Sequence, residues 1–285
     1  MFAQRSPWRR GRTRTAGVTA RDDDRVSIER VLVDTASGRQ RLIPFDGTEN
    51  FRDLGGHPTR FGVSTRWGTL FRSDGLQALS EADVERYRTL GIRVVYDLRR
   101  DSERVSRPNR VPSEAHCMMT PVDALGEVAA VRTEVRDRRG GEQMLRAMYA
   151  QMAAHSTPVI AGVLTGIADA ERLPAVFHCH AGKDRTGLIA ALVLEAVGVD
   201  RETVLDDYEV SRVLHQDNPH SFTMLVESGM APEAAAGALG APRWAMAETL
   251  ADIDREHGGV EAYLLGRVGL SGDVVDRLRD SLLDT

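Results

Sequence analysis

The stretch from Ala175 to Leu194 constrains this chain more than any other. Four residues ending at His178 form a short apolar run, a loop with one glycine, Gly182, follows, and residues 188–194 are apolar without a break. A short run lacking polar alternation suits a strand buried on both faces, and a segment apolar on all sides suits a helix inside a core. Strand, tight loop and buried helix in succession point to a parallel sheet covered by helices.

The rest of the chain repeats that alternation. Further strand-like runs lie at residues 26–33, 69–72, 94–98 and 117–121, with the central one at 175–178. Ser80 with Asp83 makes a capping-box start and Gly91 a stop for one helix, and residues 143–154 and 159–171 make two more divided by Pro158. Asp200 caps a helix reaching about Leu214, and Ser271 caps another in which Val274, Leu278 and Leu282 recur every fourth residue. Between them, residues 215–241 are rich in Pro, Gly, Ala and Met and read as a mobile helical insertion. The expected fold is α/β, a largely parallel central sheet flanked by helices.

Several classes drop out on composition. The first 24 residues, Arg-rich and then acidic with no apolar periodicity, read as a disordered tail, which leaves residues 25–285 as a single domain. Arg9 and Arg10 lack the apolar run that a twin-arginine export signal needs. A net charge of −5 provides no global positive field, so nucleic acid is not an expected partner. The uncharged residues 149–168 are interrupted by Gln151, His155 and Pro158, so no transmembrane segment is expected. Two cysteines, Cys117 and Cys179, are too few for a disulfide framework and fit the cytoplasm. Lys183 is the single lysine among 37 basic side chains, which marks it as a place where a guanidinium does not fit.

The chemistry concentrates in the loop. Backbone N–H groups turning into a helix N-terminus bind a phosphate-sized dianion, and Cys179 stands at the first loop position, where the same field favours thiolate over thiol. Arg185, six residues on, brings a planar fork for two phosphoryl oxygens. A Walker A loop fails because Phe177 stands where its first glycine belongs and Asp184 replaces the magnesium-binding Ser or Thr. His178, Cys179 and His180, with His116 and Cys117, are of ligand type for zinc, but strand alternation turns both histidines away from Cys179. No metal or other cofactor is expected.

His-Cys-His-Ala-Gly-Lys-Asp-Arg-Thr-Gly, residues 178–187, resembles the signature loop of the bacterial atypical tyrosine and lipid phosphatases. Residues 50–56 (Asn-Phe-Arg-Asp-Leu-Gly-Gly), 70–74 (Leu-Phe-Arg-Ser-Asp) and 97–99 (Asp-Leu-Arg), with the pattern closing at Leu283, extend the likeness over residues 44–283. The resemblance implies a cysteine-dependent phosphatase fold with a helical lid, for which residues 215–241 are the candidate. It implies metal-independent hydrolysis of phosphotyrosine, with phosphoserine, phosphothreonine and phosphoinositides within range. Cys179 is then the nucleophile, Arg185 the phosphate clamp and Asp184 the proton donor, with Asp97 and Asp74 as alternative acids. Lys183, His180, Ala181, Gly182, Asp97 and Arg99 are the expected substrate-binding residues, and Cys117 is a candidate to trap an oxidised Cys179 as a disulfide. A phosphate- or phosphoinositide-binding module without turnover, and a His/Cys metal-binding protein, are the alternatives.

Overall fold

The computed structural model describes residues 31–34, 37–123, 133–215, 219–240 and 242–284. The expected tail over 1–24 lies outside them, as do residues 26–30 of the first strand-like run. Of that run, Val31 and Leu32 are helical and Val33 forms a lone antiparallel bridge to Gln40, so these three residues do not join the sheet. The Val31 carbonyl accepts Arg41 Nη1 at 2.6 Å, a side-chain donor in place of a strand partner.

Five strands form the sheet: β1 (Arg52–Asp53), β2 (Leu70–Ser73), β3 (Val94–Asp97), β4 (His116–Met119) and β5 (Ala175–His178), ordered β1-β2-β5-β3-β4. All neighbours are parallel except β1 against β2, which gives the largely parallel α/β sheet the sequence predicts. Alternation sorts the side chains into two cores. Leu70, Val94, Tyr96, Ala175 and Phe177 join the larger one, whereas Phe71, Val95 and Val176 pack with Phe45, Phe51, Leu76 and Tyr87. Full burial of such side chains contributes roughly 1.5–3 kcal/mol each.

Register decides where a site can form. Ser73 and Asp97 both align with His178, and Met119 aligns with Asp97, so four strands end flush at their carboxyl edge. The loop leaving the central strand β5 therefore rises from the middle of that edge, where open α/β sheets bind ligands.

The helices are α1 (Glu81–Thr89), α2 (Asp101–Ser106), α3 (Arg138–His155), α4 (Thr157–Ile167), α5 (Asp184–Ala196), α6 (Arg201–His215), α7 (Pro219–Glu227), α8 (Pro232–Leu239), α9 (Arg243–His257), α10 (Val260–Gly266) and α11 (Gly272–Leu282). Ser80 makes the expected capping box with Asp83, and Ser271 caps α11. The Pro158 break holds, since α4 starts with proline in its first turn, but α3 begins five residues earlier than expected because Asp137 caps it at Gly140 N. Helix α5 is buried from Thr186 through Leu194, as its all-round apolar sequence requires.

Within 215–241, residues 216–218 and 241 lie outside the described residues, and the remainder carries α7 and α8. Helix α8 lies directly on α3. A Cβ on Gly237 would stand 2.0 Å from the Arg138 carbonyl oxygen, and one on Gly141 2.0 Å from that of Ala234. Ala234, Ala235 and Ala238 bury with Met230 in a small separate core. The periodicity is weak because small residues make this contact. No helix among the described residues is long and apolar enough to cross a membrane.

Candidate active site

The loop after β5 has its carbonyls tied outward. The His180 carbonyl accepts Gly75 N at 2.9 Å, those of Ala181 and Gly182 each accept Asn50 Nδ2 at 3.1 Å, and Gly182 also accepts Arg72 Nη2 at 2.8 Å. In a planar peptide the N–H opposes the C=O, so these anchors turn the loop amides toward the start of α5. Gly182 holds a φ of +63°, and a Cβ there would lie 2.5 Å from the backbone of Ser73 and Asp74, so only glycine fits. The loop amides and the positive end of α5 together form an anion cradle.

A buried ion cluster braces the anchors. Arg52 Nε meets Asp207 Oδ1 at 2.7 Å, Arg72 pairs with Asp207 Oδ2, and all three side chains are fully buried. Burial and the neighbouring Arg72 push Arg52 down to about 10; against burial, the two guanidiniums hold Asp207 far below the usual carboxylate range. Removing one member of such a cluster leaves an uncompensated buried charge.

Cys179 is 2% exposed and one residue beyond the aligned strand ends. Arg185 forks onto Glu103 of α2, Nη1 to Oε2 at 2.7 Å and Nη2 to Oε1 at 2.9 Å. Burial works against the Arg185 cation, but Cys179 and Glu103 beside it hold it above its ordinary range. Glu103, despite its own burial, is pushed down to about 2 by Arg185. Asp184 Oδ1 accepts Tyr149 Oη at 2.6 Å and lies 3.4 Å from Lys183 Nζ. The Thr186 hydroxyl, buried in the first turn of α5, has no hydrogen-bond partner among the described residues.

The sequence-predicted residues do not all converge on the cradle. Cys179, Gly182, Asp184 and Arg185 surround it, with His180 and Ala181 half-buried on its rim. Lys183 is 3% exposed and donates to the Ala238 carbonyl of α8 at 2.8 Å, so it turns to the helical insertion instead of the open loop. Asp97 and Arg99 lie inside the protein, paired at 2.7 Å and each bonded to Asn109. Arg99 offsets the burial of Asp97 and holds its carboxyl below the usual range, and Arg99 also reaches the Arg107 carbonyl. Their polar atoms are engaged within the fold. Asp74 accepts the backbone N–H groups of Glu49 and Asn50, at 3.0 and 3.2 Å.

The register keeps the candidate trapping cysteine, Cys117, away from Cys179. Cys117 aligns with Val95, which aligns with Val176, so it lies two strands across and three residues short of Cys179. With strands ~4.8 Å apart and ~3.3 Å per residue, the Cα separation exceeds ~12 Å, well beyond the ~7 Å a disulfide tolerates. Among the described residues no group of three His, Cys, Asp or Glu side chains could hold a metal ion.

Sequence reasoning passed over Glu103, Tyr149, Tyr208 and Asp207. Only the arginines left a signal: Arg52 and Arg72 sit within strand runs, where a buried charge demands a partner.

The profile of the tyrosine phosphatase family matches residues 43–284 of this chain. A Cupriavidus necator protein named as a tyrosine-protein phosphatase is 30% identical over 234 residues, 81% of this chain and 85% of that protein. The triple specificity protein phosphatase PtpB of Mycobacterium tuberculosis is 30% identical over 275 residues, covering 83% of this chain and 97% of its own. A tyrosine-protein phosphatase of Nostoc commune is 27% identical over 219 residues, 73% of this chain and 72% of that one.

Proposed function

The chain belongs to the tyrosine phosphatase family, and from that premise we propose that it hydrolyses phosphomonoesters through a phosphocysteine formed on Cys179. The carrying observation is the cradle itself: a cysteine at the foot of a loop whose His180, Ala181 and Gly182 carbonyls are anchored outward, with a guanidinium six residues on already fixed by a carboxylate. The Cys179 thiolate attacks phosphorus as the bond to the leaving oxygen breaks, and Asp184 gives that oxygen its proton. Water then attacks the phosphocysteine, Asp184 takes the proton, and inorganic phosphate leaves with the thiolate restored. Loop amides, Arg185 and the unpartnered Thr186 hydroxyl stabilise the charge that develops.

Phosphotyrosine is the first substrate class of this reading, and the resemblance to a triple specificity phosphatase extends it to phosphoserine and phosphothreonine. Phosphoinositides enter through Lys183, whose ammonium reaches a second phosphate only on leaving the Ala238 carbonyl, so motion of α8 governs that part of the range. The engaged carboxylate of Asp97 favours Asp184 as the acid. Asp97 and Arg99 shape the floor of the site without touching substrate. A lone reactive thiol fits a reducing compartment such as the cytoplasm.

The test is direct. Cys179→Ser is expected to be inactive yet still bind phosphate, and Arg185→Lys, which keeps the charge and loses the fork, to fall at least ~100-fold. Full turnover by Cys179→Ser on aryl phosphates would sink the mechanism.

A further inference from the structure

Asp184 is held by more than its own loop. Tyr149 of α3 and Tyr208 of α6 are both fully buried, their rings meet edge to face at 6.0 Å, and their hydroxyls are 2.6 Å apart. Gly187 admits the Tyr208 ring, since a Cβ there would press it at 3.0 Å. Tyr149 Oη donates to Asp184 Oδ1 at 2.6 Å. A phenol carries one hydrogen, so with that hydrogen on Asp184 the contact between the tyrosines has one direction: Tyr208 donates to Tyr149. Burial and the Asp184 charge push both phenols well above their ordinary range, so neither loses its proton.

The chain of donors ends on one oxygen. Oδ1 receives Tyr149 and has the Lys183 ammonium 3.4 Å away, whereas Oδ2 accepts no hydrogen bond among the described residues and the side chain is 24% exposed. An oxygen that already accepts a hydrogen bond and faces an ammonium is the poorer place for a proton. We propose that Tyr149, backed by Tyr208, is a positioning residue that assigns the transferable proton of Asp184 to Oδ2 and fixes the direction in which it is delivered. The inference rests on the reading of Asp184 as proton donor. In the first half-reaction the Oδ2 proton passes to the ester oxygen as the P–O bond breaks and the O–H electron pair stays on the carboxylate. In the second, a water proton returns to Oδ2 as the water oxygen bonds to phosphorus and the S–P bond breaks, its electron pair leaving with the Cys179 thiolate.

Neither tyrosine reaches substrate, so the effect must act through Asp184, and a double-mutant cycle on aryl phosphates of graded leaving group isolates it. Tyr149→Phe is expected to lower kcat about 10-fold for poor leaving groups and less than about 2-fold for good ones, with KM unchanged. In an Asp184→Asn background the same change is expected to do nothing further. A uniform loss across leaving groups, or an equal loss in the Asp184→Asn background, overturns the positioning role and leaves the donor reading standing. Absence of any leaving-group dependence in Asp184→Asn itself overturns the donor reading. Should Tyr149→Phe fail to fold, Tyr208→Phe, which removes only the distal donor, is expected to show the graded pattern at smaller amplitude, and a uniform loss there overturns the proposal equally.

Discussion

A guanidinium offers two edges for bidentate contact, and at Arg185 Glu103 takes the terminal one through Nη1 and Nη2. In the proposed mechanism the side edge, Nε with the second hydrogen of Nη2, meets the phosphoryl oxygens, and Glu103 orients the guanidinium without competing for that edge. Glu103 comes from α2, immediately after β3, which makes the clamp direction a property of the sheet edge. Glu103→Ala is therefore expected to weaken inhibition by inorganic phosphate and lower kcat/KM about 10-fold, because a freely rotating guanidinium loses its alignment. Tighter phosphate binding in that variant would mean that Glu103 blocks the site instead of arranging it. The residues that matter most here do so in pairs: Arg185 with Glu103, Asp184 with Tyr149, Arg52 and Arg72 with Asp207.

The contact between α3 and α8 is made by backbone, which turns two glycines into a testable hinge of the site. Gly237→Ala places a methyl 2.0 Å from the Arg138 carbonyl oxygen, and such overpacking costs about 1–3 kcal/mol. Because α8 buries against its own small core, the expected result is local: faster hydrogen exchange over residues 232–239, little change in Tm, and loss of the Ala238 acceptor for Lys183. Gly162→Ala in α4, where a Cβ meets nothing within 4 Å, is the control and is expected to stabilise by about 0.5–1 kcal/mol. A large drop in Tm for Gly237→Ala with unchanged exchange in α8 would show the two helices to be part of the main core. The same contact explains which elements can be read in advance. Strands β2 to β5 and the caps at Ser80 and Ser271 announce themselves through apolar runs and capping residues that act over three or four positions. Docking of α8 does not, since alanine and glycine carry no apolar period. The loop of Cys179 and Arg185 is legible because its parts are contiguous, whereas Arg52 finds Asp207 across 155 residues and Tyr149 finds Asp184 across 35. Residue 31, expected in a strand, shows the opposite limit, a β-branched residue held in a helical turn.

At the scale of the whole molecule, burial of titratable groups fixes how the fold responds to acid. His57 and His178 are both buried, and burial pushes each down to about 4. Arg41 and Arg52 add to the effect at His57 against Asp207 and Asp200; at His178, Arg99 and Arg185 oppose Asp97. An unfolded histidine titrates near ~6.5, so between that value and about 4 the unfolded chain binds more protons and stability falls as pH falls. Asp53 opposes them: burial raises it to about 6, the native state binds the extra proton below that value, and stability is gained as pH falls. Glu103, depressed to about 2, contributes stability that is lost only below the unfolded carboxylate range, outside this window. Each histidine removes about 2.5 kcal/mol by pH 4.5 and Asp53 returns about 2, so the net loss from pH 7 is about 3 kcal/mol. Urea unfolding at pH 7, 6, 5 and 4.5 reads this slope directly. His57→Gln is expected to shrink the loss over that range to about 0.5 kcal/mol, whatever its own cost at neutral pH, because one of the two histidine contributions is gone. A wild-type profile flat from pH 7 to 4.5 would mean that these histidines charge within the native fold, and the buried surroundings of each would have to open to let them.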